Sequence, residues 1–122
     1  MIRGIRGAIT VKENDANEMV DCTKKLCEEM IQKNAIIPEN VAQVLISVTE
    51  DLDAVFPAKA LRLLDGWMYV PVMCMREVPV VHSLQKCIRV MMTVETDLPQ
   101  DKIEHVYLEG ASVLRPDLSI NK

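Results

Sequence analysis

Two arginines occupy positions where strand-like sequence would ordinarily carry apolar side chains. Arg6 lies between Ile5 and Gly7, and Arg89 between Ile88 and Val90. Ile88, Val90, Met92 and Val94 alternate with Arg89, Met91, Thr93 and Glu95, so Arg89 points to the face opposite the apolar set. On a dry face an unpaired guanidinium carries a heavy desolvation cost, so something anionic must meet it. That partner is either an internal carboxylate, Glu77 or Glu95, or a bound anion. Arg62 and Arg115 add cations elsewhere in the chain. Arginine, with its planar fork of donors, is the residue suited to gripping carboxylates through paired hydrogen bonds. The pattern points to a site for a small anion, with a carboxylate as the natural ligand.

Other reactive side chains are less specific. Glu77 follows the apolar run PVMCM, where it reads equally well as a solvated loop carboxylate. Tyr107 could be a half-buried ring with its hydroxyl in water, and Cys74 could be inert packing. His82 and His105 read as surface or turn residues. No Ser or Cys stands in a pattern with a base that would activate it. The glycines at 4 and 7 do not join a strand to a helix as a phosphate loop requires. The four cysteines, at 22, 27, 74 and 87, form no closely spaced pair, so no metal site is expected. They read as small core hydrophobes in a reducing compartment.

At 122 residues the chain fits one domain, residues 1–122. Hydrophobic residues make up 49% and charged residues 26%, a globular composition that excludes disorder. The longest apolar runs fall far short of the ~20 residues that span a bilayer. The opening MIRGIRGAIT is broken by arginines and followed by no cleavage-like site, so no signal peptide is expected and the protein is expected in the cytoplasm. A net charge of −4 without a basic stripe argues against a nucleic-acid partner.

These residues must be positioned by a mixed α/β fold. Residues 1–10 read as a strand. Asn14 or Asp15 can cap a helix from about Ala16 to Asn34, with Met19, Cys22, Leu26, Cys27, Met30 and Ile31 at helical spacing. Val41–Val48 reads as a buried strand. Residues 56–65 suggest a short helix with Pro57 in its first turn, and 68–75 another strand. After the alternating strand at 88–95, Pro99 opens a turn and 105–114 gives a last strand broken by Gly110. About five strands and one long helix leave one sheet face bare, so a homo-oligomer is expected to cover it.

Six stretches, RGIRGA at 3–8, DLDAVFPAKALR at 51–62, GWMYVPVMCMRE at 66–77, KCIRVMMTVETDLPQD at 86–101, HVYLE at 105–109 and VLRPDLS at 113–119, follow one another in a family order. Together they closely resemble the monofunctional, trimeric α/β-barrel class of chorismate mutases. The resemblance implies a mixed sheet with one long helix, a homotrimer with sites between subunits, and conversion of chorismate to prephenate for Phe and Tyr biosynthesis without a cofactor. Carried over, it implies that Arg89 meets the ether oxygen of the breaking bond and a carboxylate, and that Arg6 and Tyr107 hold carboxylate. Glu77 and the neighbouring Met73, Cys74, Met75 and Arg76 would line the substrate, with Glu77 and the Cys74 region at the ring hydroxyl. Phe56, Ala58, Lys59 and Arg62 match the part of the cleft supplied by the adjacent subunit, and Leu114 and Arg115 match its entrance. Met73 stands where the family often has threonine, and Val81-His82-Ser83 replaces a segment that commonly contains glycine. A trimeric enamine/imine deaminase of the reactive-intermediate type, which shares the architecture and a carboxylate-anchoring arginine, is the alternative enzyme. A non-catalytic trimer that binds a small anion is the third reading.

Overall fold

In the computed structural model residues 1–114 are described. The chain runs through strand β1 (Ile2–Thr10), helix α1 (Ala16–Asn34), strand β2 (Val41–Val48), a 3₁₀ segment at Pro57–Leu63, strands β3 (Val72–Arg76), β4 (Cys87–Glu95) and β5 (Val106–Leu108), and a 3₁₀ segment at Glu109–Leu114. Short 3₁₀ turns at Pro38–Asn40 and Gln100–Lys102 lead into β2 and towards β5.

The strands form one mixed sheet in the order β3-β2-β4-β1-β5. β4 lies at its centre, antiparallel to β1 and β2, while the edge strands β5 and β3 run parallel to β1 and β2 respectively. α1 is the crossover between β1 and β2, and it lies on one face of the sheet. Asp15 caps the helix by accepting the Glu18 N–H at 2.9 Å, and Ala35 closes it in the left-handed conformation. Asn14 does a different job, accepting from the N–H groups of Asp53 and Ala54. Gly7 lets α1 approach closely: a Cβ there would meet Met30 Sδ at 2.5 Å and Leu26 Cδ1 at 3.0 Å.

The core fills the space between this helix and the sheet. Ile5 and Ile9 of β1, Val44 and Ile46 of β2, and Ile88, Val90, Met92 and Val94 of β4 are buried beside Met19, Leu26 and Met30 of α1. Each such side chain contributes about 1.5–3 kcal/mol through burial. The opposite face carries Arg6, Arg89, Met91, Met73 and Met75, and among the described residues its main cover is Glu109–Leu114 at one end. There Ala111 packs with Ala8 and Cys87, and Thr10 Oγ1 accepts the Gly110 N–H at 2.9 Å. The expected bare face is therefore present but partly roofed.

Three expected elements differ in extent. Residues 68–70 are not strand: the Val70 N–H turns back to the Trp67 carbonyl at 3.2 Å and Pro71 has no N–H to offer a ladder, so pairing starts at Val72. Trp67 is buried in the core while Met68 and Tyr69 are exposed, which breaks the alternation. The last strand spans only Val106–Leu108 because Glu109 adopts φ 53° and sends the chain over the sheet. Residues 57–63 wind as 3₁₀ rather than α-helix. Arg115, placed at the entrance by resemblance, lies outside the described residues.

Candidate active site

The register of the sheet lines up the functional side chains in two rows on the open face. Across the first row, Met75 pairs with Ser47, Ser47 with Arg89, Arg89 with Ala8 and Ala8 with Tyr107. Across the second, Met73 pairs with Leu45, Leu45 with Met91 and Met91 with Arg6. Neighbouring strands lie about 4.8 Å apart, so adjacent members of a row touch. Arg6 and Arg89, 83 positions apart in sequence, become diagonal neighbours because β1 and β4 pair antiparallel. Ala8, between Arg89 and Tyr107 in the first row, is covered by Ala111 rather than open to the site.

Over these rows lies a cavity of about 350 Å³ lined by Arg6, Ser47, Met75, Arg89, Tyr107 and Leu114, among others. Its size suits a small organic ligand. The Arg89 side chain is 45% exposed and its Nε lies 2.9 Å from Glu77 Oε2. Glu77 is no solvated loop residue. Its Oε2 also accepts the Ser47 hydroxyl at 3.2 Å, its Oε1 accepts the Val78 N–H at 3.0 Å, and its own N–H continues the ladder to the Val48 carbonyl. The internal pairing that Arg89 invited is thus realised through Nε, yet Arg89 still lines the cavity. Glu95, the other candidate, meets the N-terminal amine instead, at 3.5 Å. Arg6 takes part in none of the ion pairs among the described residues, and its backbone N–H donates to His105 Nδ1 at 2.9 Å.

A second group lies on the other side of edge strand β3. Phe56, Ala58, Lys59 and Arg62 line a cleft of about 510 Å³ with Met73 and Cys74. Proline at the first turn of the 57–63 segment sets its start, and Phe56 projects into solvent at 78% exposure. Cys74 alternates away from Met73 and Met75 and joins this side, in the cleft with Ala58. Arg76 adjoins Phe56 and Cys74 in a neighbouring depression. One chain therefore brings together Arg6, Met75, Glu77, Arg89, Tyr107 and Leu114. Cys74, Phe56, Ala58, Lys59 and Arg62 stay outside the cavity of Arg6, Arg89 and Tyr107, with Met75 bordering both sides.

The cysteines offer no activated nucleophile. Burial pushes the Cys74 and Cys87 thiols upward, with Arg89 opposing it only in part at Cys87, and pushes Cys27 up to about 12. Among the described residues no cluster of three or more His, Cys, Asp and Glu could hold a metal ion. One site residue, Ser47, escapes sequence reasoning as a single hydroxyl inside an apolar run. His105, which reads as a turn residue, accepts from the backbone N–H of Arg6.

The site thus joins two strand-borne guanidiniums with no activated nucleophile among the described residues. Residues 2–118 match the family model described as chorismate mutase type I. The chain belongs to that family. It is 61% identical over 122 residues to chorismate mutase AroH of Bacillus subtilis (strain 168), covering the whole of this chain and 96% of that protein. It is 48% identical over 119 residues to chorismate mutase AroH of Thermus thermophilus, covering 97% of each. A solved chorismate mutase from Clostridium thermocellum superposes with a TM-score of 0.88 at 50% identity, over 91% of this chain and 98% of that one. The chain is accordingly a chorismate mutase, an isomerase, rather than a deaminase or an anion-binding trimer.

Proposed function

We propose that chorismate binds over the two rows of the open sheet face, with the Arg89 guanidinium as the principal catalytic group. The observation that carries this reading is the diagonal placement of Arg6 and Arg89 in one cavity beside Tyr107. Chorismate carries two carboxylates. Arg6 and Tyr107 hold carboxylate, and Arg89 meets the ether oxygen and a carboxylate. Glu77 accepts the ring hydroxyl while it steadies Arg89. The rearrangement to prephenate is pericyclic: the C–O ether bond breaks as a C–C bond forms, with no net proton transfer. Negative charge grows on the ether oxygen only as the bond breaks, so a cation there stabilises the transition state more than the bound substrate. Holding the chain of reacting atoms in a compact conformer supplies the rest. A millionfold acceleration corresponds to roughly 8 kcal/mol of barrier. A hydrogen bond to a charged group contributes on the order of 1.5–3 kcal/mol, so a few such contacts plus restriction reach that figure.

The enzyme works as a homotrimer in the cytoplasm, with each site shared between two subunits. The split of the candidate residues between two clefts supports sharing: Cys74, Phe56, Ala58, Lys59 and Arg62 reach a substrate on Arg89 only from a neighbouring chain. The exposed Met73, Met75 and Met91 supply apolar surface for such a contact. Four free cysteines fit a reducing compartment. No helix among the described residues is long and apolar enough to cross a membrane.

The test is loss of chorismate followed spectrophotometrically, with prephenate identified as product. Arg89→Ala and Arg62→Ala chains, each nearly inactive alone, are then unfolded, mixed and refolded. Activity returning in the mixture supports shared sites. A mixture as inactive as its components overturns them, and unchanged chorismate with the unaltered chain overturns the binding mode entirely.

A further inference from the structure

We propose that Ser47 is a positioning residue for the rearrangement, acting through Glu77 to fix the guanidinium of Arg89; this rests on the catalytic role of Arg89 given above. Ser47 and Arg89 are direct partners across β2 and β4, so the serine hydroxyl is fixed relative to the backbone that carries the arginine. Both side chains converge on one atom. Glu77 Oε2 accepts Ser47 Oγ–H at 3.2 Å and Arg89 Nε–H at 2.9 Å, while Oε1 is taken by the Val78 N–H at 3.0 Å. Three donors from β2, β4 and the chain after β3 therefore hold the carboxylate.

The need for such a brace follows from exposure. Arg89 is a long, half-exposed side chain with many rotamers, and water competes for its one ion pair. A catalytic cation displaced by even half an ångström loses much of its effect on a charge that develops at a single oxygen. Without the serine, Oε2 is anchored by the group it is meant to orient. With it, the Glu77 carboxylate is set from the sheet, and Arg89 is set from the carboxylate. Ser47 also lines the cavity, so its loss alters the site without opening the helix-side core. A purely structural serine would affect stability and leave the kinetics of folded enzyme unchanged.

The experiment measures kcat, KM and thermal midpoint for Ser47→Ala and Ser47→Thr, alone and with Glu77→Ala. Ser47→Ala is expected to lower kcat roughly tenfold, the scale of one hydrogen bond to a charged group, with KM within about twofold. Ser47→Thr, which keeps the hydroxyl in a residue suited to strands, recovers most of that loss. In the Glu77→Ala background Ser47→Ala has no further effect, because the hydroxyl acts only through that carboxylate. Normal kcat in Ser47→Ala, or the same tenfold loss with and without Glu77, overturns the proposal while leaving the role of Arg89 intact. A normal kcat in Arg89→Ala would overturn both.

Discussion

Strand β4 has two faces that solve opposite problems. Towards α1 it presents Ile88, Val90, Met92 and Val94, each no more than 2% exposed, in a space with no water and no charge. On the other side it presents Arg89 and Met91 over a cavity, with a carboxylate and a hydroxyl holding the arginine in place. The apolar face needs good packing, and the core beside it admits polar groups only where they are hydrogen-bonded, as at Thr23 and Asn34. The open face carries charges that would be ruinous if buried unpaired on the other side of the sheet. The stable side is a rigid platform on which the other side can hold a partly hydrated cation in one orientation. On the proposed mechanism, stability and catalysis fall to alternate residues of one strand.

That division can be broken from either side. On the open face, Glu77→Ala should lower kcat by roughly a hundredfold, since it removes a hydroxyl contact and the brace on Arg89 together. Glu77→Gln, still able to accept hydrogen bonds, should lose less; equal losses in the two variants would mean that the carboxylate acts by its charge alone. The smallest effect on turnover belongs to the other face. Met92→Ala should destabilise the fold by about 2–5 kcal/mol in chemical denaturation. Its kcat below the unfolding transition should stay within a few-fold of the unaltered enzyme. A large fall in kcat without loss of stability would show that the two faces are not independent.

Much of this division was legible from period-two alternation, because a strand's side-chain direction depends on its own sequence. The assignment of Arg89 to the face opposite Val90 and Met92 needed nothing else. The helix over Ala16–Asn34 was legible from spacing and from the Asp15 cap for the same reason. What failed depended on distant partners. The Ser47 hydroxyl gains meaning only when β2 pairs with β4 in a register that sets it beside Arg89. His105 becomes an acceptor only because β5 lies along β1. The missed boundaries have local causes that tertiary burial decided, as at Trp67 and Pro71, where a buried ring and a missing donor replaced the expected strand with a turn.

In the proposed mechanism a positive charge at position 89 is worth more to the transition state than to the bound substrate. Steady-state kinetics of Arg89→Ala and Arg89→Lys, with folded content verified by circular dichroism, address this directly. The expected result is a fall in kcat of roughly a thousandfold or more for alanine and partial recovery for lysine, which restores charge without the planar fork. Turnover by Arg89→Ala near the rate of the unaltered enzyme would contradict it.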